Sequence, residues 1–330
     1  MKKTLLSLIM LTIGVAQTQA QVDPHFSQYY AYPLWLNPAL TGLMDGDLRV
    51  TGNFKDQWAS VASGYKTTAV SADYRPTNQV GVGLNILNQK AGTAGYNYFA
   101  ASGSFGYGIK LSNEFQWLNF GVQAGVINRS VDPSKFQTDG QYDPSTGGYN
   151  PALPTGENLL SPSATVFDAA VGLFYHDDTP NKKTNFFAGI SLAHLSRPTD
   201  PFAPEGSGYR LPVRYNVHSG LKINISPYFA LTPNIIYIRQ NKSEMKAAGA
   251  YSEIQFKNEN LFLLGAMYRF GDAAIANVGY RMGNLTVGAS YDFTTSAFST
   301  ATNNQGGIEL SVSYVFRKKN FGPSPVCPKL

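Results

Sequence analysis

Residues 118–126 read "LNFGVQAGV", and their alternation decides the fold. Leu118, Phe120, Val122, Ala124 and Val126 share one face of an extended chain, with Asn119, Gly121, Gln123 and Gly125 on the other, because successive side chains of a strand point to opposite sides. The pattern recurs in "QVGVGLNIL" through Val80, Val82, Leu84 and Ile86, and in "GIELSVSYVF" through Ile308, Leu310, Val312, Tyr314 and Phe316. Fourteen such segments follow one another, near 47–56, 65–75, 79–88, 96–109, 117–130, 165–175, 185–195, 211–225, 228–239, 247–257, 261–270, 274–282, 285–294 and 307–317. Many have the length of about ten residues that a tilted strand needs to cross a bilayer.

A soluble sandwich or propeller and a transmembrane barrel both use many alternating strands, and loop parity separates them. If the first strand runs outward from the periplasm, every second connection is periplasmic and should be short. The inner connections are brief: Pro76–Asn78, Leu111–Gln116, His176–Lys183, Ser226–Pro227, Asn258–Asn260 and Gly283–Asn284. The outer ones include Val131–Ala164, Ser196–Arg210 and Thr295–Gly306, rich in loop-forming Gly, Pro, Ser, Asn and Asp. A soluble sandwich gives no reason for long loops to fall on one side. The polar faces carry Arg49, Lys55, Asp168, Arg214, Lys222, Glu253, Arg269, Arg281 and Glu309, charges costly in lipid but able to pair or hydrate in a lumen. The apolar faces place Tyr74, Tyr107, Tyr175, Tyr215, Tyr268, Tyr280 and Phe316 towards strand ends, where an interfacial aromatic girdle sits.

The composition agrees: 20 Tyr, 20 Phe and 32 Gly with only 14 % charged residues is β-rich. Lys2 and Lys3, the apolar run Leu5 to Val15 and Thr18-Gln19-Ala20 read as a signal peptide over 1–20, so the mature chain starts at Gln21. No cysteine follows the cleavage site to take a lipid. Losing the two lysines leaves 24 basic against 21 acidic residues, a formal charge of +3, too mild to argue for nucleic acid. The one cysteine, Cys327, excludes an intramolecular disulfide framework.

No reaction centre or cofactor site emerges. Four scattered histidines do not suggest a metal site. His176-Asp177-Asp178 lies in a short turn beside Asn181, where acidic and amide residues belong for turn reasons, and His218 reads as a luminal polar residue beside Arg214 and Lys222. No serine has a local nucleophile signature. The glycines of "VGVGLN" and "SFGYGIK" lack phosphate-loop order, so Gly81, Gly83, Gly106 and Gly108 are read as permitting curvature or close packing. The Asn-x-Ser/Thr triplets at Asn128, Asn224, Asn241 and Asn284 are discounted as glycosylation sites.

Between signal and first strand stands "QVDPHFSQYYAYPLWLNPALTG", residues 21–42, followed by "NFKDQW" in the first strand. Together with "LNQKAGTAG" after the third strand, "LAHLSRP" closing the seventh, "SYDFTTS" in the thirteenth and a "GGIELSVSYVF" last strand before a "CPKL" tail, this opening resembles the PorP/SprF family of type IX secretion system membrane proteins. Its most specific part is Asp23-Pro24-x-Phe26-Ser27-Gln28 to Asn37-Pro38-Ala39. The resemblance implies an outer-membrane barrel of gliding or adhesin-secreting bacteria, supporting secretion or surface attachment of large client proteins and associated with periplasmic ring components. It supplies no catalytic residue and no cofactor.

The expected architecture is an all-β transmembrane antiparallel β-barrel of 14 strands over 47–317, with an N-terminal luminal or periplasmic segment at 21–46 and a periplasmic tail at 318–330. Phe26, Tyr29, Tyr30, Tyr32 and Trp35 need burial, either as a plug of the mouth or as a docking epitope for a machine component. Asp23, Pro24, Phe26, Ser27, Gln28, Trp35, Asn37, Pro38 and Cys327 are therefore the candidate plug or partner-contact residues. A diffusion porin or small-nutrient channel, and an outer-membrane hydrolase, are the alternatives from other classes.

Overall fold

The computed structural model describes residues 23–61, 64–111, 115–156, 162–199, 210–256 and 260–317. The signal peptide, the tail at 318–330 and Cys327 lie outside them. Fourteen strands close into one antiparallel barrel: β1 (Leu48–Gln57), β2 (Tyr65–Tyr74), β3 (Val80–Ala91), β4 (Tyr96–Lys110), β5 (Gln116–Ser130), β8 (Ser163–Asp177), β9 (Thr184–Ala193), β10 (Arg214–Ser226), β11 (Phe229–Gln240), β12 (Ser243–Gln255), β13 (Leu261–Arg269), β14 (Ala273–Met282), β15 (Leu285–Thr294) and β16 (Gln305–Phe316). The two remaining strands, β6 (Tyr142–Asp143) and β7 (Gly148–Tyr149), form a small hairpin within the longest outer connection, an element that alternation over two residues could not announce. The seam joins β1 to β16, from Leu48 opposite Phe316 to Gln57 opposite Gly307.

Side chains sort as the alternation requires. Phe120, Val122 and Val126 of β5, and Ile308, Leu310 and Val312 of β16, stand exposed on the outside, where hydrocarbon rather than water covers them. Lys55, Arg214, Glu253, Arg269 and Glu309 are buried inside. Among the strands that begin earlier than expected, β12 departs furthest, starting at Ser243 rather than near 247, directly after the tight turn at Asn241 and Lys242. Its first residues escape the alternation because Glu244 and Lys246 pair with each other at 2.8 Å on the outer surface, so the outward face is charged there and apolar only further in.

The lumen is not hollow. The chain enters beside His194 and Arg214, at the outer ends of β9 and β10, and crosses the barrel to Asp45. Asp45 meets Arg317 at 3.0 Å at the opposite rim, before β1 begins. Of the two places open to this segment, mouth or lumen, it takes the lumen. Its prolines shape it: Pro33 opens a single helical turn, Pro33–Leu36, and Pro38 a 3-10 turn, Pro38–Leu40, since proline suits a first helical position but cannot continue a helix.

Candidate functional site

The plug segment meets the barrel through two apolar clusters and a series of polar contacts, among which three anchors stand out. Tyr29, Leu36, Ala39 and Leu40 pack with Phe174, Phe187, Ile236 and Met267. Phe26 and Tyr32 pack with Leu87, Tyr98, Ile127 and Leu211, and Trp35 leans on this second cluster. The Phe26 and Tyr32 rings meet edge to face at 5.4 Å, a favoured aromatic geometry. The Trp35 indole N–H donates to the Pro24 carbonyl at 3.0 Å, tying the start of the segment to its middle.

The outermost anchor is ionic. The Asp23 carboxylate lies 2.6 Å from His194 Nε2 and 3.5 Å from Arg214 Nη1, while His194 Nδ1 reaches Asp168 at 3.1 Å. The Arg214 guanidinium lies 5.6 Å from the Trp35 ring centroid. Asp23 and His194 lie outside the strands, and both titrate far from their usual range. Burial alone would push the Asp23 carboxyl up, but the imidazolium and guanidinium beside it outweigh burial and hold it at about 2. Burial would likewise push His194 down, and the two flanking carboxylates instead raise it to about 9.

The central anchor joins the Ser27-Gln28 pair to β16. The backbone N–H groups of Ser27 and Gln28 donate to the two oxygens of Glu309 at 2.7 and 3.0 Å. Ser27 Oγ donates to Asp292 at 2.7 Å and accepts from Lys55 at 2.8 Å. Lys55 lies 3.4 Å from Asp292, which also takes Arg269 at 2.9 Å. Carboxylates accepting backbone N–H bonds, with cations alongside, are the arrangement in which buried charge is tolerated.

The third anchor is Asn37. Its Nδ2 donates to the Leu173 and Ile190 carbonyls at 3.0 and 3.3 Å and lies 3.3 Å from His218 Nε2, while its Oδ1 accepts from Ala39 N at 2.9 Å. The wall gives way for this turn. A Cβ added at Gly172 would lie 1.9 Å from Asn37 Oδ1, and one at Gly121 would lie 2.1 Å from the Pro38 carbonyl carbon. Gly81 and Gly106, read from sequence as permitting close packing, both lie against the Thr41 carbonyl.

The eight candidate residues from Asp23 to Pro38 thus converge on one luminal segment. Sequence reading missed the receiving side: His194, Asp292, Glu309, Gly121 and Gly172. The usable signal was that buried charges need partners, so acidic residues on luminal faces should be matched to a segment rich in unsatisfied N–H groups. Above the plug, towards the long loops, lies a cavity of ≈ 400 Å³; on the periplasmic side lies one of ≈ 640 Å³ beside Lys182, Lys222 and Tyr251. Among the described residues no cluster of His, Cys, Asp or Glu is placed to hold a metal ion.

Residues 18–314 match the family described as type IX secretion system membrane protein PorP/SprF. The chain belongs to the PorP/SprF family. This PorP/SprF barrel is similar in fold to the Ralstonia pickettii toluene transporter TbuX, at 12 % identity over 86 % of this chain and 93 % of that one, with a TM-score of 0.53. It is also similar to the monoaromatic hydrocarbon channel CymD, at 12 % identity over 88 % of this chain and 94 % of that one, with a TM-score of 0.51. At such identities the likeness is one of fold. No curated protein sequence matches the chain. Family and fold together make it an outer-membrane component of type IX secretion.

Proposed function

We propose that the protein is a non-enzymatic, plugged barrel that supports secretion or surface anchoring of large client proteins such as adhesins. On this reading the outer loops meet the client, and the periplasmic rim and tail meet ring components of the machine. The supporting observation is the plug: a segment held to the wall at three separate anchors leaves the barrel a scaffold rather than an open pore. Loops on such a scaffold are where binding residues collect, and the connection between β5 and β8 is the longest. Affinity isolation of the intact protein from mildly solubilised outer membranes tests the reading, with co-isolated type IX components and a large surface protein as the expected result. The diffusion-channel alternative requires a conducting lumen. Low conductance in planar bilayers, rising when residues 23–40 are deleted, is expected of a plug; large stable channels from the intact chain would promote the channel reading instead.

A further inference from the structure

The outward faces of β2 and β3 are apolar through the bilayer and change character at their outer ends. On β2 Val70 is followed outwards by Thr68 and Lys66, and on β3 Ile86 is followed by Asn88 and Lys90. The strands pair in that same register, Val70 opposite Ile86, Thr68 opposite Asn88 and Lys66 opposite Lys90. Four residues of strand beyond the last apolar pair make about 13 Å of chain, or about 10 Å of height at the usual tilt. Both ammonium groups therefore stand in the headgroup layer, above the hydrocarbon and below bulk water. Two like charges directly opposite on a sheet destabilise it, and the chain supplies little to offset them. Both lysines are exposed, and among the described residues neither has an ion-pair partner. Asp56, opposite Lys66 on β1, makes no ion pair with it, and Lys90 faces only Asn97 on β4. Asp132, held against the turn between β3 and β4, is taken by Lys135 at 3.1 Å. A second charged patch on the outward face behaves differently: Arg239 stands opposite Glu244, which Lys246 pairs at 2.8 Å. That patch neutralises itself, whereas the lysine pair is left for an anion.

We infer that Lys66 and Lys90 form a binding site for one outer-leaflet lipid, holding a phosphate of its headgroup between them while an acyl chain lies against the barrel below. The wall beneath is shaped for such a chain. On the outward face of β4, Ala101 and Gly103 lie between Leu84 and Ile86 of β3 and Val126 of β5, so small residues form a floor between exposed apolar walls. A Cβ added at Gly103 would meet nothing closer than 3.9 Å, so the trough is not filled by its neighbours. A phosphate suits the head of the site because lysine binds it as a point charge and two ammonium groups side by side match its charge. At this depth the anion that a bilayer offers is a lipid headgroup. The inference goes beyond the proposed function and does not depend on it.

Native mass spectrometry of the intact mature chain, released from outer membranes in mild detergent, tests it. The expected result is one phosphorylated lipid retained per barrel. Lys66→Gln and Lys90→Gln together should lower its retention about twenty-fivefold, a factor of about five for each lysine near an anionic surface. Lys66→Arg with Lys90→Arg should restore it, and Lys246→Gln, on the same outward face, should leave it unchanged. Gly103→Leu, which fills the trough without touching a charge, should also lower it; should the double Gln variant not assemble, this variant carries the comparison. No retained lipid, a retained lipid without phosphate, equal retention in the double Gln and Lys246→Gln variants, or retention unchanged by Gly103→Leu would overturn the inference. Complete release of the lipid by inorganic phosphate, with phosphate bound in its place, would overturn it too, because the site would then serve the free anion.

Discussion

The two walls of the lumen hold the same plug by different physics. The wall of β3, β4, β5 and β8 is shaped: Gly81, Gly106 and Gly121 admit plug backbone, and Gly172 the Asn37 side chain, so closely that a single Cβ would not fit. The wall of β1, β13, β15 and β16 is charged: Lys55, Arg269, Asp292 and Glu309 enclose Ser27 and Gln28. Shape excludes wrong conformations whatever the solvent, whereas buried charge specifies a register and becomes a liability once one partner is removed. The plug therefore has a template on one side and a lock on the other.

The largest expected effect sharpens this contrast at the lock. Lys55→Met leaves Glu309 and Asp292 short of a cation, and removal of one member of a buried ionic group costs about 3–5 kcal/mol. Limited proteolysis within residues 23–44 should accelerate strongly in that variant; protection equal to the wild type would mean the charged wall does not hold the plug. A second contrast lies across one strand, between outside and inside. Val122→Arg should lose assembled barrel, at about 2–4 kcal/mol for a cation at the bilayer midplane, while Gln123→Arg on the luminal face is better tolerated, both read by heat-modifiable gel migration. Equal assembly would reverse the face assignment of β5.

At the shaped wall, Gly121→Ala should cost about 1–3 kcal/mol as overpacking and raise bilayer conductance with the barrel still assembled. A loss larger than that of Lys55→Met would invert the ranking of the two walls. The smallest effect is that of pH on the Asp23–His194 anchor. Because the folded His194 is raised from 6.5 to about 9, its contribution is full below pH 6.5 and is lost as pH rises through about 9. Asp23, lowered from 3.8 to about 2, contributes above pH 3.8 and loses its share as pH falls through about 2. Plug protection measured between pH 7 and 10 should decline on the alkaline side, and His194→Gln should flatten that decline.

Much of this was legible in the chain. Strands such as β5 and β16 announce themselves because lipid imposes one requirement, apolarity, on every second residue, and β12 was misplaced only where that requirement lapses outside the membrane. Lys55, Arg214 and Glu309 were readable as luminal for the same reason. The site itself was half legible: the aromatics and prolines between Asp23 and Pro38 marked a segment needing burial, but nothing local named Glu309 as the acceptor for Ser27 and Gln28, which lie more than two hundred residues away.

By itself, then, the sequence determined a barrel, its strand count, its two faces and the side that bears the long loops, because each follows from periodicity and from the solvent that each face meets. Only the tertiary structure decided where the N-terminal segment goes, which carboxylate receives it and which glycines make room. Those are pairings across the closed sheet, set by the register at which β1 meets β16 and by the space left inside, and no pattern along a single strand encodes the distance to the opposite wall.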